Sequence, residues 1–317
     1  MVFLATVAHH TRHSPGSTGA MLAISEDGTT SGTIGGGIME AEVLELAEDA
    51  LRSQDFAPRY ERLYHRRKAP KDQTSKTSGL HCAGNQTNVY LRLTPEIHLS
   101  TVEEISQRID DDGGGLVRID SAGLSLDDGV PEQIEAPHGF EPGESWSCTT
   151  QLLNWKRIAI IGGGHCGLAL SRTMNQLGYT VTVVENRPDV FTFENNEYAV
   201  HKIVVEDYAE AGPRIEHPAW THVVVMTANQ PDDVRGLYGV AEGPYPYIGV
   251  MGAPAKLTRI RSDLHALGID DETIDGFYAP IGLDMTSNTP DEISISIAAE
   301  ILRERQHLFP FTRPCEI

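Results

Sequence analysis

Two glycine-rich stretches carry the residue types that could hold a negatively charged ligand. In "IAIIGGGHCG" (158–167), Gly162, Gly164 and Gly167 give the spacing G-x-G-x-x-G between an apolar run and a helical pattern. The first glycine permits a tight turn, the second lets a pyrophosphate approach the backbone, and the third lets helix and strand pack closely. Glu185 ends the next apolar run, eighteen residues after Gly167, where an acid can bind ribose hydroxyls. In "TIGGGIMEAE" (33–42), Gly35, Gly36 and Gly37 again precede a helical pattern, so their N–H groups are candidates for anion binding. Glu40, in the first turn of that helix, already complements its dipole and would repel a phosphate placed close by. A corner where backbone packs on backbone is the competing reading of this loop.

Three further groups could take part. Cys82 lies between small residues in "SGLHCAGNQT" (78–87), where it is either a small buried apolar residue or an accessible thiol. The stretch 59–76 carries seven Lys/Arg against two acids, a cationic island suited to an anion or to a solvated face. His9, His10 and His13 cluster near a Ser-Pro-Gly turn, with no acid or cysteine at a spacing that completes a metal site.

Two domains must position these groups. Residues 1–35 read as strands separated by turns, followed by a helix from Ile38 to Arg52. "TNVYLRL" (87–93) reads as a strand and "TVEEISQRI" (101–109) as a short helix opened by Thr101. Residues 136–154 are polar and rich in Gly and Pro and read as a linker, leaving an N-terminal domain over 1–135 and a C-terminal one over 155–317. From 157 onward apolar strands alternate with helices, the pattern of a doubly wound parallel sheet. The last helix opens with "TPDE" (289–292), a capping box with proline at its first position. The fold class expected is α/β: an N-terminal α/β domain with mixed strands and a C-terminal Rossmann-like doubly wound parallel sheet.

A formal net charge of −20 argues against nucleic acid or an anionic membrane as the main partner, and no apolar run approaches the length of a membrane span. Four cysteines without a CxxC pair fit a reducing cytoplasm, and the first residues read as a strand rather than an export signal.

With these residues in view, the chain resembles the XdhC/CoxI family, accessory proteins that mature xanthine dehydrogenase and related molybdenum hydroxylases. The likeness runs through "SPGSTGAML", "GTIGGGIMEAEV", "SGLHCAGNQT", "IIGGGHCGLAL", "VVENRPDVF", "YIGVMG" and "APIGLDMTSNTPDEISISIAAEIL". It implies a chaperone that binds the molybdenum cofactor (molybdopterin), protects it while an oxo ligand is exchanged for sulfur, and delivers it to an apoenzyme. The implied partners are the large subunit of a xanthine dehydrogenase-type hydroxylase and a cysteine desulfurase, and the default assembly is a homodimer. Gly35, Gly36, Gly37, Glu40, Cys82 and Gln86 match the family's first-domain motifs, with Cys82 a candidate contact to molybdenum or sulfur. The sequence departs from the family at Ser14-Pro15-Gly16, where many relatives carry an arginine, at Cys82-Ala83-Gly84, and at Ala228, where many have histidine. The alternatives are an NAD(P)-dependent oxidoreductase using Gly162, Gly164, Gly167 and Glu185, and a non-catalytic nucleotide sensor. The oxidoreductase is weakened because no proton donor with a positioned partner stands out in the first domain, and a xanthine dehydrogenase in its own right is disfavoured because the chain has no iron–sulfur cysteine clusters.

Overall fold

In the computed structural model, which describes residues 1–53, 55–65, 75–78, 84–111, 113–128 and 137–309, the chain forms two units, Met1–Leu153 and Asn154–Pro310. The first contains β1 (Val2–His10), β2 (Met21–Ser25), β3 (Thr30–Gly32), α1 (Ile38–Arg52), β4 (Arg59–Tyr64), β5 (Ser75–Thr77) and β6 (Asn85–Leu93). It continues through α2 (Pro95–Asp110), β7 (Leu116–Asp120), β8 (Gly123–Asp127), β9 (His138–Glu141) and β10 (Ser147–Gln151). A six-stranded sheet has the order β3-β2-β1-β6-β4-β5, and β8-β7-β10-β9 form a second sheet of four.

Alternation along the central strands builds two cores. Phe3, Ala5, Val7 and Tyr90 face α1, where Val43, Ala47 and Ala50 lie at helical spacing and close the layer. Val89 and Leu91 face the other way, onto Ile119, Trp146 and Cys148 of the smaller sheet. The central strands β1 and β6 are therefore covered on both faces, so any polar group on them must find its partner inside the protein.

Residues 136–154, expected to be a linker, instead supply β9 and β10, and β10 pairs antiparallel with both β7 and β9. Pro142 and Gly143 mark the turn between these short strands, while Trp146 and Cys148 fill the core. The helix expected at 101–109 begins earlier, at Pro95 after Thr94; proline opens this helix at a position that needs no N–H partner.

The second unit has β11 (Arg157–Ile161), α3 (His165–Gln176), β12 (Thr180–Glu185), α4 (Phe191–Glu194), β13 (His201–Val204) and β14 (Thr221–Val225). Then follow α5 (Gln230–Val240), β15 (Tyr247–Val250), α6 (Pro254–Ala266), α7 (Asp271–Asp275) and α8 (Pro290–Leu308). All strands are parallel in the order β13-β12-β11-β14-β15, so the chain changes winding direction between β11 and β14. Near-continuous apolar strands such as Arg157–Ile161 and Thr221–Val225 are buried along their whole length, as a sheet covered on both faces requires. The capping box at Thr289 and Glu292 is present, and Ile297 and Ile301 of α8 are buried.

Candidate functional site

The first glycine loop is fixed from below by one side chain. Gln86 on β6 is fully buried, and its carbonyl oxygen accepts from the Gly16 amide (3.1 Å) and the Ser14 hydroxyl (3.0 Å). Its amide nitrogen donates to the Ile34 carbonyl (2.9 Å) and to Asn88 Oδ1 (2.8 Å), and Asn88 continues to the Tyr90 hydroxyl. All four hydrogen-bonding positions of Gln86 are thus filled within the protein, which makes it a clamp joining the Ser-Pro turn to the glycine loop. Gly35 sits against that turn; a methyl group added there would lie 2.7 Å from the Gly16 nitrogen and 2.8 Å from the Pro15 carbonyl carbon.

Gly36 and Gly37 differ from Gly35. Both have left-handed φ, 73° and 67°, and a methyl group at either would meet nothing within 4 Å. They are glycines for backbone conformation, on the open side of the loop. Glu40 folds back across the corner: Oε1 accepts from the Thr33 hydroxyl (2.6 Å) and from the amides of Ile34 and Gly36 (both 2.9 Å). The Thr33 hydroxyl and then these amides hold the Glu40 carboxyl below its ordinary range, despite partial desolvation. The expected anion cradle therefore already holds one anion of the chain's own, half-buried at its edge.

A histidine that the sequence reading left unassigned completes the network. His65 is buried, with Nε2 3.1 Å from Ser14 Oγ and Nδ1 2.6 Å from Ser78 Oγ. Because Ser14 donates to Gln86, it must accept from His65 Nε2–H, leaving Nδ1 to accept from Ser78. Burial lowers the His65 pKa, so the ring is held neutral. In this arrangement His65 does not act as a base toward Ser14, and the pair is not an activated nucleophile. The signal available in the sequence was the period-two run Gln86, Asn88, Tyr90 on one face of a central strand, which marks a polar row in need of partners. Cys82 and residues 66–74 of the cationic stretch 59–76 lie outside the described residues.

In the second unit Gly162, Gly164 and Gly167 form the turn between β11 and α3, as their spacing predicts. A methyl at Gly162 would collide with the Met226 carbonyl oxygen, and one at Gly167 with the Gly162 carbonyl oxygen, so both are places where backbone meets backbone. Gly164 caps α3, and a methyl there would meet nothing within 4 Å.

Glu185 is where expectation and structure part. It is fully buried, and its two oxygens accept from the Gly163 amide (2.7 Å), Tyr208 Oη (2.8 Å), the amides of Asn186 (3.2 Å) and Arg187 (3.1 Å), and Arg187 Nε (2.8 Å) and Nη2 (3.3 Å). Burial pushes this carboxyl up, but the Arg187, Gly163 and Tyr208 hydrogen bonds outweigh it and hold the pKa below the ordinary value. With six donors on two oxygens the carboxylate has no capacity left for ribose hydroxyls; it holds the glycine loop in place. Phe193 also packs on Gly163, where a methyl would lie 2.9 Å from its Cβ, and Thr192 donates to the Gly163 carbonyl (2.6 Å). Cys166, one residue beyond the start of α3, packs against the core, and burial pushes its thiol up, which disfavours a reactive thiolate.

Across the winding reversal lies a second polar cluster. Asp233 is fully buried; Oδ1 accepts from the Thr227 amide (2.9 Å) and hydroxyl (2.7 Å), and Oδ2 pairs with Lys256 Nζ. Lys256 also donates to the Met251 carbonyl (3.1 Å). These residues join the carboxyl ends of β14 and β15, where doubly wound sheets take ligands.

Comparison with known proteins bears on both units. Residues 1–61 match the family model described as the XdhC and CoxI family, and residues 158–301 match the model described as the XdhC Rossmann domain. The chain is 25% identical over 296 residues to an uncharacterised protein, YqeB, of Escherichia coli K12, covering 93% of this chain and 41% of that protein. It is 25% identical over 154 residues to a probable xanthine dehydrogenase subunit of Bacillus subtilis, covering 48% of this chain and 44% of that one. The chain thus spans about two fifths of the length of the curated relatives it matches. A crystal structure of a xanthine dehydrogenase from Bacillus halodurans superposes with a TM-score of 0.72 at 21% identity, covering 96% of this chain and 92% of that one. At that identity the likeness is one of fold.

Proposed function

The chain belongs to the XdhC and CoxI family, and from that membership we propose that it is an accessory protein that binds the molybdenum cofactor and hands it to a xanthine dehydrogenase-family apoenzyme. In this reading it protects the cofactor, supports its sulfuration with a cysteine desulfurase, and works as a homodimer. The cofactor is cargo, and the chain performs no turnover of its own.

The observation that carries the reading is the first glycine loop. Gly36 and Gly37 present open backbone above a network in which every polar group of Gln86 is already satisfied. Such a surface is preorganised for binding, and the serine beside it, Ser14, accepts from His65 Nε2–H and donates to Gln86 rather than giving its proton to the ring. Main-chain amides at the start of α1 supply donors for a phosphate, and the Cys82 thiol is the proposed contact to molybdenum or sulfur. The relatives named for xanthine dehydrogenase point to a client of that kind.

The test is to purify the full chain from a host that makes the cofactor and assay the released, oxidised pterin by fluorescence. Wild-type protein should release it, Gly36→Val should lose at least five-fold of the signal while remaining folded, and Cys82→Ser should retain less or fail in sulfuration. Wild-type protein that carries no pterin and does not bind added cofactor would overturn the reading.

A further inference from the structure

The helices α1 and α2 of the first unit use their apolar residues differently. Val43, Ala47 and Ala50 of α1 sit in the core, whereas α2 buries only His98, tucked against Gly123 of β8. Leu99, Val102 and Ile109 of α2 remain 52%, 39% and 60% exposed. Their spacings of three and seven residues, with Ser106 between, put them on one stripe along the helix, in the pattern of a coiled-coil seam.

Beside that stripe runs a row of acids. Glu96, Glu103 and Asp110 follow at intervals of seven residues, all exposed, on the side of the stripe turned away from His98 and Ile105. None of the three carboxylates has an ion pair or a hydrogen bond among the described residues, while the neighbouring Glu104 is held by Arg108. In heptad terms Leu99 and Ser106 take position a, Val102 and Ile109 take d, and the three acids all take e. A second copy of the chain fits this face poorly. Antiparallel pairing of two α2 helices sets e against e, and therefore acid against acid. Parallel pairing sets e against g, and the g residues here are His98 and Ile105, on the edge seated on the unit.

We infer that α2 is a docking face for a helix of a different protein, one that carries its own apolar stripe flanked by Lys or Arg. Leu99, Val102 and Ile109 supply the contact that leaves water, and Glu96, Glu103 and Asp110 select the partner by charge. The net charge of −20 steers a basic partner toward the chain and repels an anionic membrane. The inference stands apart from the cofactor reading, which concerns the glycine loop and not α2.

The probes are two dye-labelled helical peptides of about three heptads with Leu at a and d, one with Lys and the other with Glu at every e and g. Like charges along their own seams keep the peptides monomeric, and anisotropy follows their binding to the full chain. The Lys peptide should bind roughly tenfold more tightly than the Glu peptide. Leu99→Ser and Val102→Ser together should weaken it roughly tenfold, with circular dichroism unchanged because both side chains are exposed. Reversing the row with Glu96→Lys, Glu103→Lys and Asp110→Lys should transfer the preference to the Glu peptide. The same change of net charge on the exposed side of α1, Glu42→Lys, Glu45→Lys and Asp49→Lys, should leave binding of the Lys peptide within about twofold. Failure of the Lys peptide to bind, unchanged binding in the double serine variant, or equal weakening by the α1 and α2 reversals would each overturn the inference. So would loss of self-association in the double serine variant, which would make the occupant a second copy of this chain.

Discussion

The two glycine loops look alike in sequence and are built on opposite plans. Each turns a strand into a helix, and in each a glutamate of the same unit accepts a main-chain amide of the loop: Gly36 for Glu40 and Gly163 for Glu185. Glu40 reaches its loop from within α1, is half-buried, and has only a hydroxyl and two amides as partners. Glu185 reaches its loop from the end of β12, is fully sealed, and binds an arginine and a tyrosine as well as three amides. One carboxylate closes its corner while still partly exposed, and the other is sealed within it. A glycine fingerprint therefore reports backbone geometry, and the acid beside it decides whether that geometry is open to a ligand.

Methyl groups added to the two loops should separate the plans most sharply. At Gly167 the methyl meets the Gly162 carbonyl, a backbone atom with nowhere to go, so Gly167→Ala should cost more than about 3 kcal/mol and unfold or loosen the second unit. At Gly36 the methyl meets open space, and only the left-handed φ of 73° opposes it, so Gly36→Ala should cost about 1 kcal/mol. Chemical denaturation of both variants checks the contrast. Equal losses would mean that the two corners are packed alike.

Much of this was legible before any coordinates. The strand–loop–helix setting of Gly162, Gly164 and Gly167, the parallel order, and the Thr289 capping box follow from period, spacing and cap chemistry, all of which act over a few residues. The role of Glu185 was not legible, because the partners that saturate it come from Arg187, Gly163 and, twenty-three residues on, Tyr208, and only the tertiary fold joins them. The same holds for His65, whose partners Ser14 and Ser78 lie fifty-one and thirteen residues away. The segment 136–154 misled for a local reason: short strands between tight turns have the composition of a linker.

Acid sharpens the comparison further. Both carboxyls titrate below the ordinary value of 4.5: Glu40 through the Thr33 hydroxyl and the loop amides, Glu185 because its hydrogen bonds outweigh the upward push of burial. The unfolded chain therefore binds more protons than the folded one as pH drops below that value. The stability each carboxylate contributes is present above about pH 4.5 and is lost as pH falls through the folded pKa. At pH 7 Glu185→Gln should cost about 2 kcal/mol, since it weakens the charge-assisted hydrogen bonds of a fully buried carboxylate whose arginine partner is half-exposed. Glu40→Gln should cost no more than about 1 kcal/mol, because a half-exposed carboxylate is screened. Trp146 reports on the first unit, and Trp155 and Trp220 on the second, so fluorescence-monitored unfolding of single-tryptophan forms reads the two separately. Repeated at about pH 3.5, the gap between wild type and Glu185→Gln should narrow in the second unit, and the smaller gap for Glu40→Gln should narrow in the first. A gap that widens on acidification would mean that the carboxyl is protonated more readily in the folded protein than in the unfolded chain, the reverse of what six donors around Glu185 require.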